Sequence, residues 1–203
     1  QGEIPNLLLS GSAGVGKTTV ARAICEELGA SYIVINGSDE GRYLDTIRTK
    51  VQQFATTVSL TSRKTHKVVI LDEADNMTSD VQMILRAAIE EYHSNCRFIF
   101  TCNFINRLID PIQSRCTVVD FRINKSEQQI LSAAFFARLK DILDTEGVKY
   151  QDKVLAKLIG RYYPDWRRLL NETQRHAARG NVESDILSDI SDVKTDELVR
   201  AMK

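Results

Sequence analysis

The chain has 203 residues, with 27 basic and 27 acidic side chains and a formal net charge of zero. That length suits one large or two small domains, and 43% hydrophobic with 27% charged residues is ordinary for a globular protein. No apolar run approaches the roughly 20 residues of a membrane span, no signal peptide is visible, and the balanced charge gives no direct argument for nucleic acid beyond a local basic stripe.

In chain order, Leu7-Leu8-Leu9 reads as a buried strand. Gly11-Ser12-Ala13-Gly14-Val15-Gly16-Lys17-Thr18 follows, with glycine, four residues, then Gly-Lys-Thr. Thr19 to Ile24 reads as the first turns of a helix. Strand, loop and helix in that order are the context a phosphate-binding loop requires. Glycines allow the tight turn and let backbone N–H groups face phosphates, and the helix N-terminus adds a positive dipole end. Lys17 is expected to reach the β- and γ-phosphates of a nucleoside triphosphate, with the Thr18 hydroxyl on Mg²⁺. The plain alternative is a glycine-rich turn that binds nothing, and both flanks argue against it.

Further strand-like runs are expected at 31–36, 67–72, 97–102 and 116–121. Between them, Leu44, Ile47, Val51, Phe54, Ala55 and Val58 keep the spacing of one helix face, as do Val81, Ile84, Leu85, Ala88, Ile89 and Tyr92. Strand–helix alternation with continuous apolar strands predicts a parallel sheet buried on both faces. Residues 59–66 form a polar loop before the third strand. After about residue 123 strand signals cease. Ser126-Glu127-Gln128-Gln129 reads as a capping-box start. A helix to about Thr145 stops near Gly147, another covers 151–161, Pro164 opens a third, and weaker helical patterns run through 182–202. The expected division is an α/β nucleotide-binding core, 1–122, and a small all-helical domain, 123–203. Cys25, Cys96, Cys102 and Cys116 lack Cys-x-x-Cys spacing, so buried free thiols are expected rather than zinc ligands.

Val68-Val69-Ile70-Leu71-Asp72-Glu73 is a buried strand ending in two acids. An acid at the carboxyl end of a parallel strand faces the ligand crevice. Asp72 is expected to organise Mg²⁺ and Glu73 to polarise the attacking water; an acid pair that merely caps the next turn is the alternative. Asn103 ends the next strand, where it would touch the γ-phosphate or the water, although a strand-end Asn is usually a turn residue. Arg115, in Ser114-Arg115-Cys116, is either a solvated surface residue or an arginine finger for a neighbouring subunit.

Taken together, the phosphate loop, Leu71-Asp72-Glu73-Ala74-Asp75, Thr101-Cys102-Asn103 and Ser114-Arg115-Cys116 resemble the AAA+ ATPase subunits of sliding-clamp loaders. Asn36-Gly37-Ser38-Asp39-Glu40 resembles the family's segment after the second strand, and Pro164-Asp165-Trp166-Arg167-Arg168 its second sensor. The spread of matches is closest to the phage members, and Ser-Arg-Cys is the most discriminating.

The resemblance implies an AAA+ P-loop NTPase: a five-stranded parallel sheet flanked by helices, then a helical lid. ATP and Mg²⁺ would be the cofactors. Gly11, Ser12, Ala13, Gly14, Val15, Gly16, Lys17, Thr18 and Thr19 would hold the phosphates, and Thr18 and Asp72 the metal. Glu73 would be the catalytic carboxylate, Asn103 sensor one, Arg167 sensor two, and Arg115 would complete the adjacent subunit's site. Asn36 would restrain Glu73 until DNA arrives, and Arg42, Arg48 and Lys50 are candidates to face DNA. Partners would be the other subunits of a five-membered ring, a sliding clamp and primer–template DNA, with no membrane and a cytoplasmic location (the host's, if phage-encoded).

Two departures bear on this. Ser12-Ala13 replaces the family's usual loop proline, and Pro164 stands where glycine is common. A segment covering the adenine and a helical collar are expected to be absent, as in a fragment. The rival readings are a ring helicase or branch-migration motor of AAA+ type, and a ring subunit that does not hydrolyse. Asp72-Glu73-Ala74-Asp75 also spells the DEAD box, but those helicases need a second core domain and a Ser-Ala-Thr motif.

Overall fold

The computed structural model describes residues 4–39, 44–57, 67–178 and 181–182, except the side chains of Lys125 and Asn181. Arg42, Glu40, the loop 59–66 and the helical patterns beyond 182 lie outside the described residues. Two compact units divide after Arg122.

The first unit is a five-stranded parallel sheet: β1 (Leu7–Ser10), β2 (Tyr32–Asn36), β3 (Lys67–Asp72), β4 (Cys96–Cys102) and β5 (Thr117–Asp120), in the order β2-β3-β4-β1-β5. The connecting helices are α1 (Lys17–Glu27), α2 (Leu44–Thr56), α3 (Ser79–Glu91) and the short α4 (Asp110–Gln113). The strand residues alternate between two cores. Leu8, Val69, Leu71, Phe98 and Phe100 face a cluster with Ile47 and Val51 of α2 and Val81, Leu85 and Ile89 of α3. Leu9, Val68, Ile70 and Ile99 face the opposite cluster, with Ala21 and Cys25 of α1. Each fully buried Leu, Ile or Phe contributes about 1.5–3 kcal/mol relative to exposure. This two-sided burial gives the continuous apolar runs of the sequence.

The register aligns the strand ends. Ser10 pairs with Cys102 and Asp120, and Asn36 with Asp72. In a parallel sheet all these carboxyl ends share one edge, and the chain leaving the strands builds a crevice there. β5 differs from expectation: its four residues are exposed, with Val118 at 47%, because it is an edge strand paired only to β1.

The second unit contains α5 (Lys125–Thr145), α6 (Asp152–Tyr162) and α7 (Trp166–Ala177) around Leu139, Leu143, Val154, Leu155, Leu158, Ile159 and Leu169. The cap of α5 is Asn124 rather than Ser126. The Glu127 carboxylate accepts from the Asn124 N–H at 3.2 Å, and the three-residue spacing of a capping box selects that pair. A two-residue parallel pair, β6 (Lys149–Tyr150) with β7 (Asn181–Val182), adds strand to a unit expected to be all helix; two residues carry no periodicity. α7 opens at Asp165, whose carboxylate accepts from the Arg168 N–H at 2.9 Å, one step beyond Pro164. Among the described residues no helix is long and apolar enough to cross a membrane.

Candidate functional site

The loop between β1 and α1 turns through glycines. Gly16 caps α1 with φ 96°, a backbone that L side chains rarely adopt. α1 then begins at Lys17 itself, so the N–H groups of its first turn are unpaired within the helix and point outward. Lys17 is 8% exposed. Its ammonium donates to the carbonyls of Gly11 (2.8 Å) and Ser12 (2.7 Å) and to Asn103 Oδ1 (2.9 Å). These bonds hold the ammonium against the loop that opens α1, and a cation beside a helix N-terminus suits an anion. The structure thereby joins Lys17 to Asn103 across 86 residues of sequence.

Thr18 Oγ1 donates to Asp72 Oδ1 at 2.6 Å. A hydroxyl and a carboxylate oxygen so close are both hard oxygen donors, the chemistry Mg²⁺ prefers. The donor set therefore fits a triphosphate with its cation.

Glu73 has φ 53° and ψ 45°, and among the described residues it is the only non-glycine with positive φ. That costs about 1–2 kcal/mol. Its N–H donates to Thr101 Oγ1 at 3.1 Å, and its carbonyl accepts from Asn76 N at 3.0 Å. Its carboxylate is engaged as well: the Ser38 hydroxyl donates to Glu73 Oε2, and Asn76 Nδ2 lies 3.3 Å from the same oxygen and 2.9 Å from Ser38 Oγ. Asn36 does not reach Glu73. Its Oδ1 accepts from the Ser38 N–H at 2.8 Å, so it shapes the turn that brings Ser38 to the acid. Gly37 is needed there for space, because a Cβ would stand 2.3 Å from the Glu73 carbonyl oxygen.

Asp75 is buried, and its Oδ2 accepts from the N–H groups of Asn103 (3.2 Å) and Phe104 (3.1 Å). It fixes the turn that carries Asn103. Gln82, 2% exposed, donates to the Met77 and Arg107 carbonyls and accepts from Ile109 N, joining α3 to the chain after β4.

Arg115 stands apart. It makes two bonds to Glu90 Oε1 on α3, at 2.5 and 2.9 Å, and one to the Pro111 carbonyl at 2.8 Å. The guanidinium holds the Glu90 carboxyl below its usual range. A depressed acid contributes above its unfolded value and loses that contribution as pH falls through the lowered one, so the pair persists at neutral pH. Arg167, in the second unit, is exposed on α7, while neighbouring Arg168 lies over the Tyr162 ring at 5.1 Å. Arg48 and Lys50 are exposed on α2, and Lys50 lines a groove with Ile33, Gln53 and Phe54.

Cys25, Cys96 and Cys102 are buried free thiols, and Cys116 is half-buried. Burial pushes Cys25 and Cys96 up to about 11 and Cys116 up to about 12. Among the described residues no cluster of three or more His, Cys, Asp or Glu forms a metal site.

Sequence reasoning missed Ser38, Asn76, Asp75, Thr101 and Gln82. Ser38, Asp75 and Thr101 lie inside motifs already noticed, whereas nothing in the pattern marks Asn76 or Gln82.

Comparison with known proteins places this geometry. Residues 7–124 match the model of the ATPase family associated with various cellular activities (AAA). Residues 127–188 match that of the sliding-clamp-loader large subunit, AAA+ ATPase lid domain. The replication factor C small subunit of Archaeoglobus fulgidus is 40% identical over 184 residues, covering 88% of this chain and 55% of that protein. The sliding-clamp-loader large subunit of Enterobacteria phage T4 is 35% identical over 209 residues, covering 100% and 64%. The chain thus spans less than two thirds of these relatives. Among solved structures, a Thermotoga maritima RuvB A156S mutant superposes with TM-score 0.70 at 18% identity, covering 92% of this chain and 61% of that one. At that identity the likeness concerns the fold.

Proposed function

The chain belongs to the ATPase family associated with various cellular activities, and from that premise we propose that it is an ATP-hydrolysing subunit of a DNA polymerase sliding-clamp loader. The observation that carries the reading is the helical unit. The core alone matches a broad ATPase family, whereas residues 127–188 match the model of the sliding-clamp-loader large subunit's lid domain. The T4 and Archaeoglobus relatives support it over this chain's length. The branch-migration reading has only a likeness of fold behind it. A subunit that does not hydrolyse would not need Lys17, Thr18, Asp72 and Glu73 together.

The residues divide the work. Residues Gly11 to Thr19 wrap the phosphates with backbone N–H groups, and Lys17 transfers its ammonium from the Gly11 and Ser12 carbonyls to phosphate oxygen. Thr18 and Asp72 hold the cation, which when bound with ATP neutralises phosphate charge and polarises the bond to be cleaved. Glu73 accepts the attacking water's proton at its carboxylate, for which it must leave Ser38 and Asn76. Asn103 reports the γ-phosphate through its contact with Lys17. Arg115 serves the neighbouring subunit's nucleotide and Arg167 the nucleotide from the lid. In this reading five subunits form a ring in the cytoplasm, grip the clamp in the ATP state and release it on primer–template DNA after hydrolysis. ATP turnover with and without the clamp and primed DNA tests it. Stimulation by both is expected, and turnover indifferent to both contradicts the clamp-loader role.

A further inference from the structure

We propose that Thr101 is a positioning residue that aims both acids of the site, Asp72 and Glu73, through a single hydroxyl. Thr101 lies on β4 and is 2% exposed, so its hydroxyl must find its partners inside the protein. It finds two. It donates to Asp72 Oδ1 at 2.6 Å and accepts from the Glu73 N–H at 3.1 Å. The direction of each bond is fixed, because an ionised carboxylate only accepts and a backbone N–H only donates.

The two bonds act on different parts of the chemistry. Asp72 Oδ1 also accepts from Thr18 at 2.6 Å. Thr18 lies in the first turn of α1, and its hydroxyl would hold the cation. Thr101 then remains as the donor that keeps the Asp72 carboxylate in orientation, as hydrogen bonds to metal-ligating carboxylates generally do. The second bond pins the Glu73 N–H while that residue sits at φ 53°. The left-handed turn sets where the Glu73 side chain leaves the backbone, so losing this bond changes the aim of the carboxylate. Thr101 is also two residues before Asn103 on the same strand end. The chain that contacts Lys17 through Asn103 thus contacts both acids through Thr101.

The Thr101 hydroxyl is engaged by Asp72 and Glu73, so it acts through them. The role rests on the reading of these residues as an ATP·Mg²⁺ site, and the test separates the two. Thr101→Val keeps shape, β-branching and burial and removes only the hydroxyl. In the full chain, affinity for a fluorescent ADP is measured with and without Mg²⁺, beside ATP turnover. Thr101→Val is expected to keep the Mg²⁺-free affinity. The Mg²⁺ concentration for half-saturation should rise, and kcat fall, by about 10–100-fold. Thr101→Ser, which restores the hydroxyl, should recover both to within a few-fold. If valine disturbs folding, Thr101→Cys, nearly the same size with only a weak S–H donor, carries the same expectation.

Wild-type Mg²⁺ dependence and kcat in a folded valine or cysteine variant overturn the role of Thr101. So does a loss of Mg²⁺-free affinity as large as the Mg²⁺-bound one, because that is the mark of packing alone. A wild-type protein to whose nucleotide affinity Mg²⁺ adds nothing overturns the parent reading instead.

Discussion

The carboxyl edge of the sheet and the corner around Arg115 handle charge in opposite ways. At the edge, Lys17 and Asp75 are buried, Asp72 and Glu73 are half-buried, and each is held by hydrogen bonds to other segments of the unit. At the corner, Arg115 keeps 31% of its side chain exposed and shares one carboxylate with solvent. The edge is organised before any ligand arrives, which is how electrostatic catalysis avoids reorganisation. The corner has a cation held by the Pro111 carbonyl and by a partly exposed ion pair with Glu90, of a kind that adds little to stability. The contrast is the one the proposed shared site requires, with an edge to receive a nucleotide and a corner to serve a neighbour's.

The largest expected effect falls on the corner. Arg115→Ala should leave nucleotide affinity within a few-fold of wild type and lower turnover by about 10³–10⁵ where subunits assemble. Equal losses in binding and turnover, measured by fluorescent-nucleotide titration beside phosphate release, would erase the distinction between corner and edge. Next, Glu73→Gln at the edge should cut hydrolysis by about 10²–10⁴ while binding persists; unchanged turnover refutes the role of Glu73. A smaller effect sharpens the account of the edge. Ser38→Ala removes one bond from the Glu73 carboxylate, and turnover without clamp or DNA should rise by about 2–10-fold, the worth of one hydrogen bond. A fall instead means that Ser38 supports the acid rather than restrains it.

Legibility in the sequence followed the same division. Strand–helix alternation fixed the parallel sheet, because two-sided burial writes itself as continuous apolar runs such as Val68 to Leu71. Lys17, Thr18 and Asp72 were legible because phosphate and cation chemistry demand those residue types at set spacings. The bonds of Thr101 and Gln82 were not, although Thr101 lies in a motif. Their hydroxyl and amide act across 25 to 29 residues of sequence, and only the folded register brings their partners within reach. The expected restraint of Glu73 by Asn36 is indirect in the structure, because Asn36 bonds the Ser38 N–H and the turn at Gly37 brings the Ser38 hydroxyl to the acid. The exposure of β5 was hidden too, since an edge strand with Val118 and Val119 reads like a core strand.

A last expectation concerns the thiols, whose labelling reads packing rather than turnover. Burial pushes Cys116, beside Arg115, up to about 12 and Cys25 up to about 11. Both should therefore alkylate about a hundredfold or more slowly at pH 8 than in the denatured chain. Fast labelling of Cys116 alone would mean that the corner opens independently of the edge.

The central claim, that one working site is made of the edge of one subunit and the corner of the next, has a direct measurement. Glu73→Gln and Arg115→Ala proteins are each assayed for ATP turnover, then mixed under assembly conditions and assayed again. An Arg115→Ala subunit keeps a complete edge, and a Glu73→Gln neighbour can supply its intact arginine. The mixture is therefore predicted to turn over ATP well above the average of the two variants alone. Turnover equal to that average, with assembly of the mixture verified by size, would contradict a site shared between subunits.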